Sequence, residues 1–217
     1  MFTLVLGTNN RKKEIELAEL LAPYSVEVRT LADFDKKLDV VEDGQTFLYN
    51  ARKKAVEQAK FLHAWVVGED SGLCVDALDG APGVYSARLA VLAEDQSIEN
   101  KNASDEDNNR ILLEKLINVP LEKRSAHYIC TAVLADPSGA VHGEVEGYCR
   151  GRILFDYSGK GGFGYDPLFE VVEYHQTFGA LPPVVKRAVS HRARAMRKLI
   201  PVIIATSKSA SCSHDGL

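Results

Sequence analysis

The sequence predicts an α/β fold, a mixed central sheet flanked by helices in one unit of two lobes around a cleft. Three observations point there. Apolar runs of strand length alternate with segments whose apolar residues recur at helical spacing. Asp136-Pro137-Ser138-Gly139 suits a type I turn, so the runs on either side should pair antiparallel in at least part of the sheet. The chain has 217 residues, enough for one large α/β domain or two small ones with a sizeable core, and it shows no internal repeat or linker. Residues 1–205 are expected to form this domain. Residues 206–217 are Ser-rich with little to bury and are expected to be a disordered tail.

Taken in order, Leu4-Val5-Leu6 reads as a buried strand. From Asn10 the pattern turns helical, with Ile15, Ala18 and Leu21 on one face, and Pro23 stops it. Residues 26–30 alternate like a half-exposed strand. Thr46 caps a second helix in which Phe47, Ala51, Ala55, Ala59 and Leu62 repeat at helical spacing. Residues 65–67 and 73–75 read as strands flanking an acidic turn. A helix ends with residues 111–117, and residues 125–135 and 141–153 read as the two arms of the hairpin. A Gly-rich loop covers residues 158–164. A last helix is expected over residues 188–199, with Pro201 ending or kinking it.

The bulk numbers narrow the function classes. The chain is 46% hydrophobic and 26% charged, ordinary for a globular protein. A net charge of −4 argues against a general nucleic-acid binder. No apolar run approaches the roughly 18 residues of a membrane helix. The N-terminus reads as a strand rather than a signal peptide. Cys74, Cys130, Cys149 and Cys212 have no C-x-x-C spacing, and the first three sit in strand-like runs, which fits reduced thiols in a reducing cytoplasm.

Three distant stretches suit an anionic, metal-bound ligand. Thr8, Asn9, Asn10, Arg11, Lys12 and Lys13 place donors where a strand gives way to a helix, and a helix start favours phosphate. Read alone, a solvated helix start is the plainer account. Glu69-Asp70-Ser71-Gly72 sets adjacent acids beside an apolar strand, where their repulsion would be offset by a hard cation such as Mg²⁺; a solvated hairpin turn explains it equally well. Glu42 is a candidate third acid, although a Glu in a polar loop usually just faces solvent. Lys186, Ser190, His191 and Arg192 crowd another helix start, against a solvated basic face as the plain alternative. Gly159-Lys160-Gly161-Gly162-Phe163-Gly164 matches G-x-G-x-x-G in form only, because Tyr165-Asp166-Pro167 breaks any following helix. Its glycines allow close backbone approach to a flat ligand, on which Phe163 and Tyr165 could stack.

Together these segments resemble the inosine/xanthosine triphosphate pyrophosphatase family, over residues 4–199. The resemblance is carried by Gly68-Glu69-Asp70-Ser71-Gly72-Leu73, by Gly80-Ala81-Pro82-Gly83-Val84-Tyr85-Ser86-Ala87-Arg88, by Gly161-Gly162-Phe163-Gly164-Tyr165-Asp166-Pro167-Leu168-Phe169, and by Ser190-His191-Arg192. It implies an elongated fold, a homodimer, and Mg²⁺-dependent hydrolysis of ITP, dITP and XTP to monophosphate and pyrophosphate. Carried over by position, Thr8, Asn9, Asn10, Arg11, Lys12 and Lys13 would hold the triphosphate, with Lys54 facing the phosphates. Glu42, Glu69 and Asp70 would form the metal centre, with Asp70 as proton acceptor. Ser71, Phe163, Gly164, Tyr165, Asp166, Lys186, His191 and Arg192 would contact the nucleotide. Tyr49 departs from the family's T-F-x-E-N-A, as does 180–185 from its acidic E-L segment. A nucleotide-binding regulatory module without catalysis is the alternative, and it would not need the three acids.

Overall fold

The structure, a computed structural model, describes residues 2–36, 38–94 and 102–212; for Lys12, Glu94 and residues 209–212 it describes the backbone alone. The helices are α1 (Arg11–Leu21), α2 (Phe47–Leu62), α3 (Leu89–Glu94), α4 (Asp105–Lys115), α5 (Pro183–Val189) and α6 (His191–Cys212). The strands are β1 (Phe2–Leu6), β2 (Val26–Thr30), β3 (Trp65–Val75), β4 (Ser125–Ala135), β5 (Val141–Ile153), β6 (Phe169–Val171) and β7 (Gln176–Thr177). They form a seven-stranded sheet in the order β2-β1-β3-β4-β5-β6-β7. The sheet is mixed, as expected. β1 pairs parallel with β2 and β3, while β5 with β6 and β6 with β7 are antiparallel. Gly139 N–H closes the β4–β5 turn onto the Asp136 carbonyl at 2.8 Å, and Gly139 sits at φ +86° where the turn demands it. No helix among the described residues is long and apolar enough to cross a membrane.

The chain forms two compact units. The first comprises Met1–Asp70, Cys130–Gly147 and Arg192–Leu217; the second, Ser71–Ile129 and Tyr148–His191.

In the first unit, strand alternation sorts side chains to two faces. Leu4, Leu6, Val67, Ala132 and Leu134 pack with Leu17 and Leu21 of α1 and Met196, Leu199, Ile200 and Ile203 of α6. Val5, Val66, Val133 and Ala135 pack with Ala51, Ala55 and Ala59 of α2. The alanines let α2 approach closely. At Gly68 the fit is so tight that a Cβ would collide with the Ala51 carbonyl and the Ala55 nitrogen. That contact fixes which residues of β3 follow next on each face. The second unit has its own core, in which Leu73, Val75, Tyr128, Phe169 and Phe178 pack with Ile111 and Leu112 of α4. Arg124 is buried there, its guanidinium donating to the carbonyls of Leu116, Val119 and Leu154.

Four local expectations change. Residues 68–72 are not a turn: β3 runs unbroken from Trp65 to Val75, because Leu73 and Val75 are as buried as Val66 and Val67. The last helix divides at Ser190, whose backbone is extended, into α5 and α6. Pro201 does not end α6, and the disordered tail expected from residue 206 is helical through Cys212, with residues 213–217 outside the described ones. Tertiary burial overrides the proline. Leu199, Ile200 and Ile203 lie within the core, while Pro201 itself is exposed.

Candidate active site

The acidic pair on β3 organises the candidate site residues of the first unit. Glu69 and Asp70 are neighbours in an extended strand, so their side chains leave on opposite faces. Glu69 continues the face of Val67 towards α1 and α6. Its carboxylate is buried, 2.5 Å from the Lys13 ammonium and 3.0 Å from Arg192 Nε. Burial alone would push its pKa up, but Arg192 and Lys13 hold it well below the usual carboxylate range. Arg192 opens α6, and its Nη1 also reaches Glu16 Oε2 of α1 at 3.4 Å. The result is a chain of alternating charge, Lys13, Glu69, Arg192, Glu16, with the buried Glu69 and Arg192 at its centre. Cys130 of β4 faces it, with Sγ 4.0 Å from Glu69 Oε2. Burial, with Glu69 adding to it, pushes the Cys130 thiol up to about 12, so it stays protonated at neutral pH.

Asp70 continues the other face, the one that Gly68 presses onto α2. Its Oδ2 accepts from Asn50 Nδ2 at 3.1 Å, and its Oδ1 lies 3.5 Å from Lys54 Nζ. Lys54 Nζ also donates to Glu42 Oε2 at 2.8 Å. One ammonium therefore sits between two carboxylates. Burial works against the charge on Lys54, yet Asp70 and Glu42 outweigh it and raise the pKa.

Of the remaining residues in the first motif, Thr8 Oγ1 accepts from the Asn10 N–H at 3.2 Å. Arg11, half exposed, donates to Glu14 and to Asp33 at 2.8 and 2.6 Å. Asn9 and Asn10 are exposed at the α1 start, and the side chain of Lys12 lies outside the described residues. Lys13 of that motif is placed at the acidic pair, on Glu69.

Ser71, Phe163, Gly164, Tyr165, Asp166, Lys186 and His191 belong to the second unit. Asp166 is buried; its Oδ2 accepts from the Phe163 N–H at 2.7 Å and pairs with the Lys186 ammonium. Lys186 Nζ lies 4.5 Å from the centre of the half-exposed Phe163 ring. Tyr165 is buried, and its hydroxyl donates to the Ser86 carbonyl at 2.7 Å. His191 stacks on Tyr128 with ring centres 4.7 Å apart and planes 10° from parallel. Ser71 is half-buried on β3.

Sequence reasoning missed Asn50, Cys130 and Glu16. A signal for Asn50 was present: Asn50, Lys54 and Gln58 recur every fourth residue beside the Ala51-Ala55-Ala59 ladder, a polar line along the buried edge of α2. Cys130 carried none beyond its place in an apolar strand.

Among the described residues no three of His, Cys, Asp and Glu meet as a metal-holding group. Mg²⁺ uses one or two carboxylates when substrate phosphates and water complete its shell. Glu42 and Asp70, with an ammonium already between them, fit that role. Glu69 has both its oxygens turned to Arg192.

Residues 4–202 match the model of the Ham1 family. A dITP/XTP pyrophosphatase of Rhodopirellula baltica is 51% identical over 213 residues, covering 98% of each chain. One of Desulforamulus reducens is 46% identical over 200 residues, covering 92% of this chain and 94% of the other. Among solved structures, a HAM1 protein from Coxiella burnetii superposes with a TM-score of 0.82 at 35% identity, covering 94% of this chain and 98% of the other. A nucleoside-triphosphatase / dITP/XTP pyrophosphatase from Mycobacterium abscessus gives 0.73 at 36%, covering 93% and 100%.

Proposed function

This chain belongs to the Ham1 family, and we infer from that membership and from its paired charges that it is a nucleoside triphosphate pyrophosphatase. It hydrolyses deaminated purine nucleoside triphosphates, dITP, XTP and ITP, to the monophosphate and pyrophosphate, and so clears them from the nucleotide pool. The observation that carries this reading is Lys54 held between Glu42 and Asp70, a carboxylate pair kept together around a cation.

A triphosphate bears about four negative charges, which repel a nucleophile unless cations neutralise them. Lys13 and Lys54 supply fixed positive charge in the first unit, and Lys186 in the second. Glu42 and Asp70 would hold a magnesium ion, which would add to the neutralisation of the phosphates. Asp70 Oδ2 orients a water towards the α-phosphorus and takes its proton. The oxygen of that water forms the new P–O bond, the bond to the bridging oxygen breaks, and pyrophosphate leaves. Asn50 keeps Asp70 aimed while the proton moves. Glu69 serves as the holder of Lys13 and Arg192 rather than as a metal ligand. Thr8, Asn9, Asn10 and Lys12 offer donors to the phosphates. Phe163, Gly164, Tyr165, Asp166, Ser71 and His191 receive the nucleoside, whose C6 oxygen accepts a hydrogen bond where adenine's amine would donate. A mismatched buried polar group can cost ~10⁴-fold in selection.

Action in the cytoplasm, as a homodimer, completes the proposal. Pyrophosphate release from dITP, XTP, ITP, dATP and dGTP, with and without Mg²⁺, tests it. Phosphorus NMR should show monophosphate and pyrophosphate. Inorganic phosphate as the first product, or equal rates on all five, would overturn it.

A further inference from the structure

The Gly-rich segment 161–166 carries Phe163, and it is gripped from outside by one face of α4. Asp105 Oδ2 accepts the Gly164 N–H at 2.7 Å. Asn109 Nδ2 donates to the Gly164 carbonyl at 3.0 Å. Asp105 and Asn109 are four apart, so they share a helix face and reach the two successive peptide groups that flank the Gly164 Cα. Asp105 is not needed by its own helix, because Ser104 caps α4 by accepting from the Asp107 N–H at 3.0 Å. Asn109 is 2% exposed, and its Oδ1 is buried with no partner among the described residues.

The segment has reason to need holding. Gly162 and Gly164 lie at φ +80° and +60°, and among the described residues nothing stands within 4 Å of where a Cβ on Gly164 would be. Phe163 between them is half exposed. From within, Asp166 takes the Phe163 N–H. From without, the ties to Gly164 come from α4.

We propose that Asp105 and Asn109 are positioning residues, which grip the peptides around Gly164 and so preset Phe163 as the platform for the nucleotide base. This rests on the reading of Phe163 as a nucleotide contact. Neither residue touches substrate. They lower the cost of ordering the loop on binding, so their effect belongs in KM rather than in the chemical step.

The test uses Asp105→Ala, Asp105→Asn and Phe163→Ala, with steady-state kinetics on dITP, thermal melts, and amide exchange at Gly164 by NMR without nucleotide. Asp105→Ala should raise KM about 3- to 10-fold, the loss of one solvent-exposed hydrogen bond, with kcat within about twofold. Its melt should stay near wild type because the Ser104 cap remains, while Gly164 exchange accelerates. Asp105→Asn keeps an acceptor oxygen and should restore KM and exchange. Phe163→Ala should raise KM at least as much as Asp105→Ala. An unchanged KM in Asp105→Ala beside a raised KM in Phe163→Ala overturns the positioning role. An unchanged KM in Phe163→Ala overturns the platform, and the proposal with it. Absence of dITP turnover by the wild type is a separate result, since it strikes at the pyrophosphatase reading itself.

Discussion

Glu69 and Asp70 are consecutive in β3, yet Glu69 meets Arg192 at 3.0 Å on one face while Asp70 meets Asn50 at 3.1 Å on the other. The strand's two-residue period therefore divides labour between two adjacent acids. One is spent neutralising buried cations; the other stays beside an ammonium that is itself shared with Glu42.

Removing the Glu69 charge takes from Lys13 its carboxylate partner and leaves the buried Arg192 with Glu16 alone. Glu69→Gln should cost about 3–5 kcal/mol at neutral pH, the range for breaking a buried pair from one side. The sign with pH follows from the depressed carboxyl pKa. Its stabilisation is fully present above the ordinary value of 4.5 and fades as pH falls below it. Urea midpoints at pH 7, 5 and 3 should show wild type and variant converging at the acid end. A gap that stays constant would mean the carboxylate charge is not what Glu69 contributes.

Asp70→Asn retains shape but loses charge and basicity, so kcat for dITP should fall by roughly 10²-fold or more. Single-turnover pyrophosphate release would check it, and turnover near wild type would remove Asp70 from the proton-accepting role.

Asn50 offers a sharper test, because it contacts both ends of the arrangement. Its Oδ1 accepts the Gly44 N–H at 2.8 Å and its Nδ2 donates to Asp70. Asn50→Ala should cost about 1–3 kcal/mol of stability, since polar groups are left unpaired. It should also lower kcat more than it raises KM, because Asp70 loses its aim. A loss of stability with kcat intact would reduce Asn50 to a loop anchor.

What was legible in the sequence divides along physical lines. Helical spacing located α2, whose alanines recur every fourth residue, and a near-continuous apolar run located β4. The hairpin followed from the chemistry of Asp136-Pro137-Ser138-Gly139. The acids at 69 and 70 were legible as residues but not as geometry. Local chemistry suggested a turn, whereas long-range burial of Val67 and Leu73 keeps the strand extended. Pro201 failed as a helix stop for the same reason, since local propensity yields to the core contacts of Leu199, Ile200 and Ile203. Asp105 and Asn109 acquire meaning only when α4 is laid against residues some 55 to 59 positions away, a relationship no local pattern encodes.

Pro201 still carries a cost, for it cannot donate to the carbonyl four residues before it. Pro201→Ala should therefore raise stability by about 1–3 kcal/mol, at an exposed position where little packing is lost. A lower urea midpoint would show that the proline shapes α6 to fit the core.

Arg192 decides how base and phosphate recognition are shared. The sequence reading placed it on the nucleotide, where a directional guanidinium could read the C6 oxygen. In the structure it is buried, with Nε on Glu69 and Nη1 on Glu16. A lysine there is a point charge that cannot span both carboxylates. Arg192→Lys should cost at least about 1 kcal/mol of stability through the lost charged hydrogen bond. If the guanidinium is committed to those carboxylates, the variant's kcat/KM ratio between dITP and dATP should match that of the wild type. Lys186→Met should likewise leave the ratio nearly fixed while lowering both values, because a point charge on phosphate does not sense the base. Steady-state kinetics on both nucleotides, beside urea denaturation of each variant, separates the outcomes. A dITP preference that collapses in Arg192→Lys at unchanged stability would return Arg192 to the base and leave Glu69 as the residue that aims it.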